Sequence, residues 1–106
     1  MGEVVQLRPA QRKPTLQELV LRVRKLMKEN PDCVGFDYPH LKERMVTRGK
    51  YMREILEVLK KGEGVKGPDL DKYGEYRIKL RRYCCGKRTQ IVVAVREREL
   101  TVMTVI

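Results

Sequence analysis

Apolar residues recur at spacings of three and four from the fifteenth residue on. Leu16, Leu19, Val20, Val23, Leu26 and Met27 form one stripe of a helix. The helix opens on a capping box, Thr15-Leu16-Gln17-Glu18, and Asn30-Pro31 ends it. This helix is either a packing element or an arm appended to the domain. A short aromatic run, 33–38, predicts a first strand. Pro39 suits the first position of a second helix, which Gly49 closes. A third helix spans about 51–61, burying Met52, Ile55, Leu56 and Leu59, and Gly62 ends it. Residues 63–74 are rich in Gly, Pro and Asp, which predicts a loop. Beyond Gly74 the period changes. Tyr76, Ile78 and Leu80 alternate with Arg77, Lys79 and Arg81, as in a strand with one buried face. Residues 85–88 predict a turn, 91–95 a strand covered on both faces, and 100–106 a last strand. The expected architecture is α+β, helices first and then an antiparallel meander.

The 106 residues suit a single domain, with 1–14 as a flexible basic leader and 15–106 as one α+β unit. Hydrophobic residues make up 42% and charged ones 36%, a globular balance. No apolar run is long enough to cross a membrane, and the N-terminus lacks the apolar stretch of a signal peptide, so a cytoplasmic protein is expected. The formal charge is +10, and residues 40–106 carry +8 of it. Such a field attracts polyanions, among which nucleic acid is the commonest in a cytosol.

The sharpest chemistry lies in the second helix. Residues four apart share a helical face, so His40, Arg44 and Arg48 form one row and Leu41 and Met45 a neighbouring apolar one. In the first turn, the positive end of the helix dipole disfavours a cationic ring and attracts phosphate. A histidine base with two arginines on phosphate oxygens is a set for RNA cleavage without a metal. In the strand after Gly74, Arg77, Lys79, Arg81 and Tyr83 share one face, which can track a phosphate backbone and stack a base. Lys87 and Arg88 in the next turn extend this positive region. The bland alternatives are a capping histidine and solvated basic faces. Three cysteines (Cys33, Cys84 and Cys85), no CxxC spacing and one histidine argue against a zinc site. The absence of serine excludes a serine hydrolase. No phosphate-binding loop motif, cofactor motif or helix-turn-helix pattern is visible.

The string His40-x3-Arg44-Met45-x2-Arg48-Gly49, followed by a helix ending Lys60-Lys61-Gly62, resembles domain-of-unknown-function family 4258. The resemblance covers 36–106 and leaves out the first helix. It implies a fold similar to RelE-like and BrnT-like toxins, with two helices on a small antiparallel sheet, and a metal-independent endoribonuclease of toxin–antitoxin systems. It also implies site positions at His40, Arg44, Arg48 and Thr104. Two features depart from the family pattern: the residues after Gly49, Lys50-Tyr51-Met52-Arg53, and the extra helix. The leading expectation is therefore an RNA-binding, RNA-cleaving domain. The alternative is a basic interaction module without chemistry, docking a protein partner through helix 15–28 or gripping nucleic acid.

Overall fold

A computed structural model describes residues 13–84 and 86–106; the expected leader through residue 12, and Cys85 of the expected turn, lie outside these. Helix α1 is Leu16–Glu29. The capping box forms as expected. The Glu18 N–H donates to the Thr15 hydroxyl at 3.1 Å, and the Thr15 N–H donates to the Glu18 carboxylate at 3.0 Å. A single 3₁₀ turn, Pro31–Cys33, leads into β1, Val34–Gly35. Helix α2 is Leu41–Arg48 and α3 is Met52–Lys61. Four longer strands follow: β2 Glu63–Leu70, β3 Tyr76–Cys84, β4 Lys87–Val95 and β5 Leu100–Val105. The order in the sheet is β1-β5-β4-β3-β2. The meander β2 to β5 is antiparallel, while β1 joins β5 in parallel, so the sheet is mixed. The fold is α+β, with α1 as the helix preceding the family-like part.

Three expectations about the strands change. The first strand shrinks from 33–38 to two residues, because the chain turns at Tyr38-Pro39. The segment 63–74 is not wholly a loop, since its first eight residues form the edge strand β2. Glycine and proline are tolerated there because an edge strand leaves one row of N–H groups unpaired in any case. Two register shifts break the β2–β3 ladder around Lys66. Lys87 and Arg88 lie in β4 rather than in a turn, directly after Gly86, which has φ 77°.

Directly opposed residues of neighbouring strands share a face of the sheet. Leu80 pairs with Ile91 and Ile91 with Val105; Ile78 pairs with Val93 and Val93 with Val102. All six belong to one core, together with Leu19, Val20, Val23 and Met27 of α1, Leu41 of α2, and Ile55, Val58 and Leu59 of α3. The three helices therefore cover a single face. In α3 it is Val58, not Met52, that is buried; Met52 is exposed. Helix α1 is built into the domain: Leu16 and Val20 crowd Gly64 of β2, and the Arg24 guanidinium donates to the Gly62 carbonyl at 2.9 Å. Its apolar stripe is spent on its own core, so it is not the free docking surface that the interaction alternative required.

Candidate functional site

Tyr38, Pro39, His40 and Leu41 form a tight turn. The Leu41 N–H donates to the Tyr38 carbonyl at 3.1 Å, and His40, third in the turn, has φ 68° and ψ 4°. This is a type II β-turn, in which proline favours the second position and glycine the third. Pro39 thus presets a turn rather than the first helical position, and His40 caps α2 from outside instead of standing in its first turn. His40 is the sole non-glycine residue at positive φ among the described residues. A side chain in that region costs about 1–2 kcal/mol, and such strain concentrates at working sites.

The His40 ring is three-quarters exposed, and its Nδ1 lies 3.2 Å from the Glu43 carboxylate. A carboxylate only accepts, so in the neutral ring Nδ1 is the donor and Nε2 carries the lone pair. The ring borders a hollow of about 600 Å³ lined by Phe36, Asp37, Tyr38, His40, Lys42 and Glu43. Leu41 is buried and Met45 packs on the core. In the neighbouring row of α2, Arg44 and Arg48 are exposed and form no hydrogen bond or ion pair with another described side chain. Gly49 ends the helix in the left-handed conformation, its N–H donating to the Val46 carbonyl at 3.1 Å, while the Lys50 N–H reaches Met45 at 2.8 Å.

Thr104 stands elsewhere. It faces away from Val105, and Val105 shares the core with Leu41, so the sheet separates the Thr104 hydroxyl from the packing stripe of α2. The hydroxyl donates to the Val105 carbonyl at 3.3 Å. By register its row is Lys66, Lys79, Val92 and Thr104, running across the face without helices. The motif expected to converge is thus split between a helix surface and the open sheet.

The open face carries the expected cations in two classes. Arg77 and Arg81 are held by acids: Arg77 Nε to Asp71 at 3.1 Å, and Arg81 Nη2 to Glu63 at 2.6 Å. The Glu63 hydrogen bond raises the Arg81 pKa further. Arg81 also lies 5.8 Å from the Tyr83 ring, which is exposed opposite Arg88. Lys79, Lys87 and Arg88 form no ion pair with another described residue. Lys66, which falls in the segment expected to be a loop, faces Lys79 directly. Like charges so placed repel each other, and the pair lines a second hollow of about 360 Å³ with Arg77, Asp69 and Asp71. Only the strand pairing reveals Lys66. The nearest hint in sequence is a lone lysine between glycines.

At the far end of this face, Asp71 accepts from the N–H groups of Glu75 and Tyr73, both at 2.9 Å, and from Arg77. The Glu75 N–H, with Tyr73 and Arg77, holds the Asp71 carboxyl below its ordinary value despite partial burial. Arg96 bridges Glu75 and the Thr101 hydroxyl, tying the β2–β3 turn to β5. Burial pushes the Cys33 thiol up, as suits a packing residue rather than a nucleophile. No group of three or more His, Cys, Asp or Glu side chains gathers among the described residues in a way that suits a metal ion. No helix there is long and apolar enough to cross a membrane.

Comparison with curated proteins and with solved structures finds no match. A family model, the domain of unknown function DUF4258, matches residues 39–106. That span runs from the turn before α2 to the end of β5 and leaves out α1. The chain belongs to the DUF4258 family.

Proposed function

We propose that the protein binds RNA in the cytoplasm and cleaves its phosphodiester bonds without a metal ion, in the manner of toxin ribonucleases. The supporting observation is His40, held in a strained turn at the start of α2, with Nδ1 engaged by Glu43 and Nε2 left free; the same helix bears Arg44 and Arg48, which have no side-chain partner among the described residues. Nε2 takes the proton of a ribose 2′-hydroxyl, and the oxygen attacks the adjacent phosphorus. Arg44 and Arg48 bind the phosphate oxygens as negative charge gathers on them. The imidazolium returns the proton to the departing 5′-oxygen, leaving a 2′,3′-cyclic phosphate and a 5′-hydroxyl. The open face carries the flanking strand, with Lys79, Lys66 and Arg88 on phosphates and Tyr83 stacking a base.

The test is incubation of full-length protein with RNA in chelator. Cleavage is expected in the wild type and loss of at least about a hundredfold in His40→Ala, with Arg44→Ala also impaired. Undiminished cleavage in both variants refutes the assignment. A second reading, a protein-docking module, is favoured by the exposed Val46, Tyr51 and Met52 around a hollow of about 490 Å³ between α2 and α3. With Lys42 at its edge, that surface suits an acidic partner. Absence of any salt-sensitive RNA binding would favour it.

A further inference from the structure

The hollow beside His40 has a composition that phosphate binding alone does not require. Tyr38 is partly exposed on its wall, and Phe36, which lines the same hollow, is half-buried and packed against the core. Between them in sequence, Asp37 is exposed and makes no hydrogen bond or ion pair with another described residue. In this hollow the other carboxylate, Glu43, is taken by His40. A free carboxylate between two aromatic residues, in a chain of charge +10, invites a ligand with hydrogen-bond donors and a flat face.

We infer that this hollow is a guanine-selective base pocket, an inference that rests on the RNA reading of the His40 site. The argument is one of matching edges. An ionised carboxylate offers two acceptor oxygens and no donor. Among the four RNA bases only guanine presents two adjacent donors, N1–H and the N2 amino group, on its Watson–Crick edge. Adenine and cytosine each set one amino group beside an acceptor nitrogen, and uracil sets its one N–H between two carbonyls. Those three place at least one lone pair against the carboxylate. Tyr38 and Phe36 supply the stacking surface that unpaired bases use, and purines offer the larger face to it. A carboxylate among aromatics also suits a cationic ligand, but Lys42 on the same wall and the overall positive charge oppose that occupant.

The position of the pocket fits a nucleotide rather than a free base. A methyl group placed on Gly35 would lie 3.5 Å from the Asp37 carboxylate and 3.9 Å from the Thr101 hydroxyl. Gly35 pairs with Thr101, Thr101 with Ala94, and Ala94 with Arg77, so the carboxylate stands where the open basic face reaches its β1 edge. A base seated against Asp37 therefore has the imidazole on one side and the cationic sheet on the other. The phosphodiester that follows it is offered to both.

The experiment titrates full-length protein with GMP, AMP, CMP and UMP, reading dissociation constants by NMR. GMP is expected to bind about tenfold or more tightly than the rest, the discrimination of a good bidentate contact. Asp37→Asn replaces one acceptor oxygen by a donor and should abolish the preference. Tyr38→Ala should weaken all four in parallel. Thermal unfolding of each variant checks that the fold is kept. Equal binding of the four nucleotides, or an unchanged order in Asp37→Asn, overturns the pocket. Mapping of RNA products separates this inference from the one beneath it. Cleavage after every base alike removes the pocket and leaves the ribonuclease standing; guanine-selective, Asp37-dependent binding without cleavage supports the pocket and removes the ribonuclease.

Discussion

Replacing His40 by glycine should stabilise the protein relative to replacing it by alanine, while both changes destroy the proposed activity. His40 is the third residue of a type II turn with φ 68°, where an L side chain costs about 1–2 kcal/mol and glycine nothing. Both variants lose the His40–Glu43 pair, whose partners are each 75% exposed, and pairs so exposed contribute only about 0.3–0.5 kcal/mol. That loss cancels in the comparison. Glycine gives back part of its advantage through the greater freedom of its unfolded chain, about 0.4–1 kcal/mol. The glycine variant should therefore exceed the alanine variant by about 0.5–1 kcal/mol. Near the midpoint this is a rise of about 2–6 °C for a domain of this size. Against the wild type, glycine should be neutral or slightly stabilising, and His40→Asn should fall between glycine and alanine because asparagine tolerates the left-handed region. Calorimetry or urea titration of the purified variants decides the matter. An alanine variant as stable as the glycine variant would show that His40 is unstrained, and strain would cease to mark the site.

Three further outcomes follow from the packing. Gly64→Val places a branched side chain where even a Cβ would lie 2.9 Å from Leu16 and Val20; it should cost about 1–3 kcal/mol in a urea titration, whereas an exposed change such as Lys87→Ala should cost little. A chain beginning at residue 30 keeps the whole family-matched span but loses Leu19, Val20, Val23 and Met27 from the core, and should lack a cooperative thermal transition. Asp71 has its carboxyl depressed in the folded state, so its contribution is present above the unfolded carboxylate value and is lost as pH falls through the lower folded value. Between about pH 5 and 2 the melting temperature of the wild type should therefore fall more steeply than that of Asp71→Asn. Parallel curves would remove Asp71 as the source.

How much of the site was legible depended on how local its causes were. The basic alternation in β3 was readable because a two-residue period fixes sidedness once one face is buried. The exposed row of α2 was readable because the neighbouring Leu41 and Met45 define the buried side. His40 was singled out but wrongly placed in the helix, since Pro39 serves a helix start and a turn equally well. Lys66, Glu63 and Asp71 were hidden. Their segment reads as a loop by composition, and only the strand beside it gives them a face. The partners that neutralise Arg77 and Arg81 are six and eighteen residues away, and pairings at such distances follow from the ladder register.

The sequence by itself settles the capping box of α1, the glycine ends of α2 and α3, the period of β3, the size of the charge excess and the family, because each is written in neighbouring residues or in their sum. It does not settle which charges stay free. That depends on β2 lying beside β3, with Glu63 beside Arg81 and Lys66 beside Lys79. Nor does it settle that α1 is internal, since an apolar stripe looks the same whether it meets its own sheet or another molecule. The separation of Thr104 from α2 belongs to the tertiary structure as well: a strand has two sides, and only the packing of the helices decides which of them faces the core.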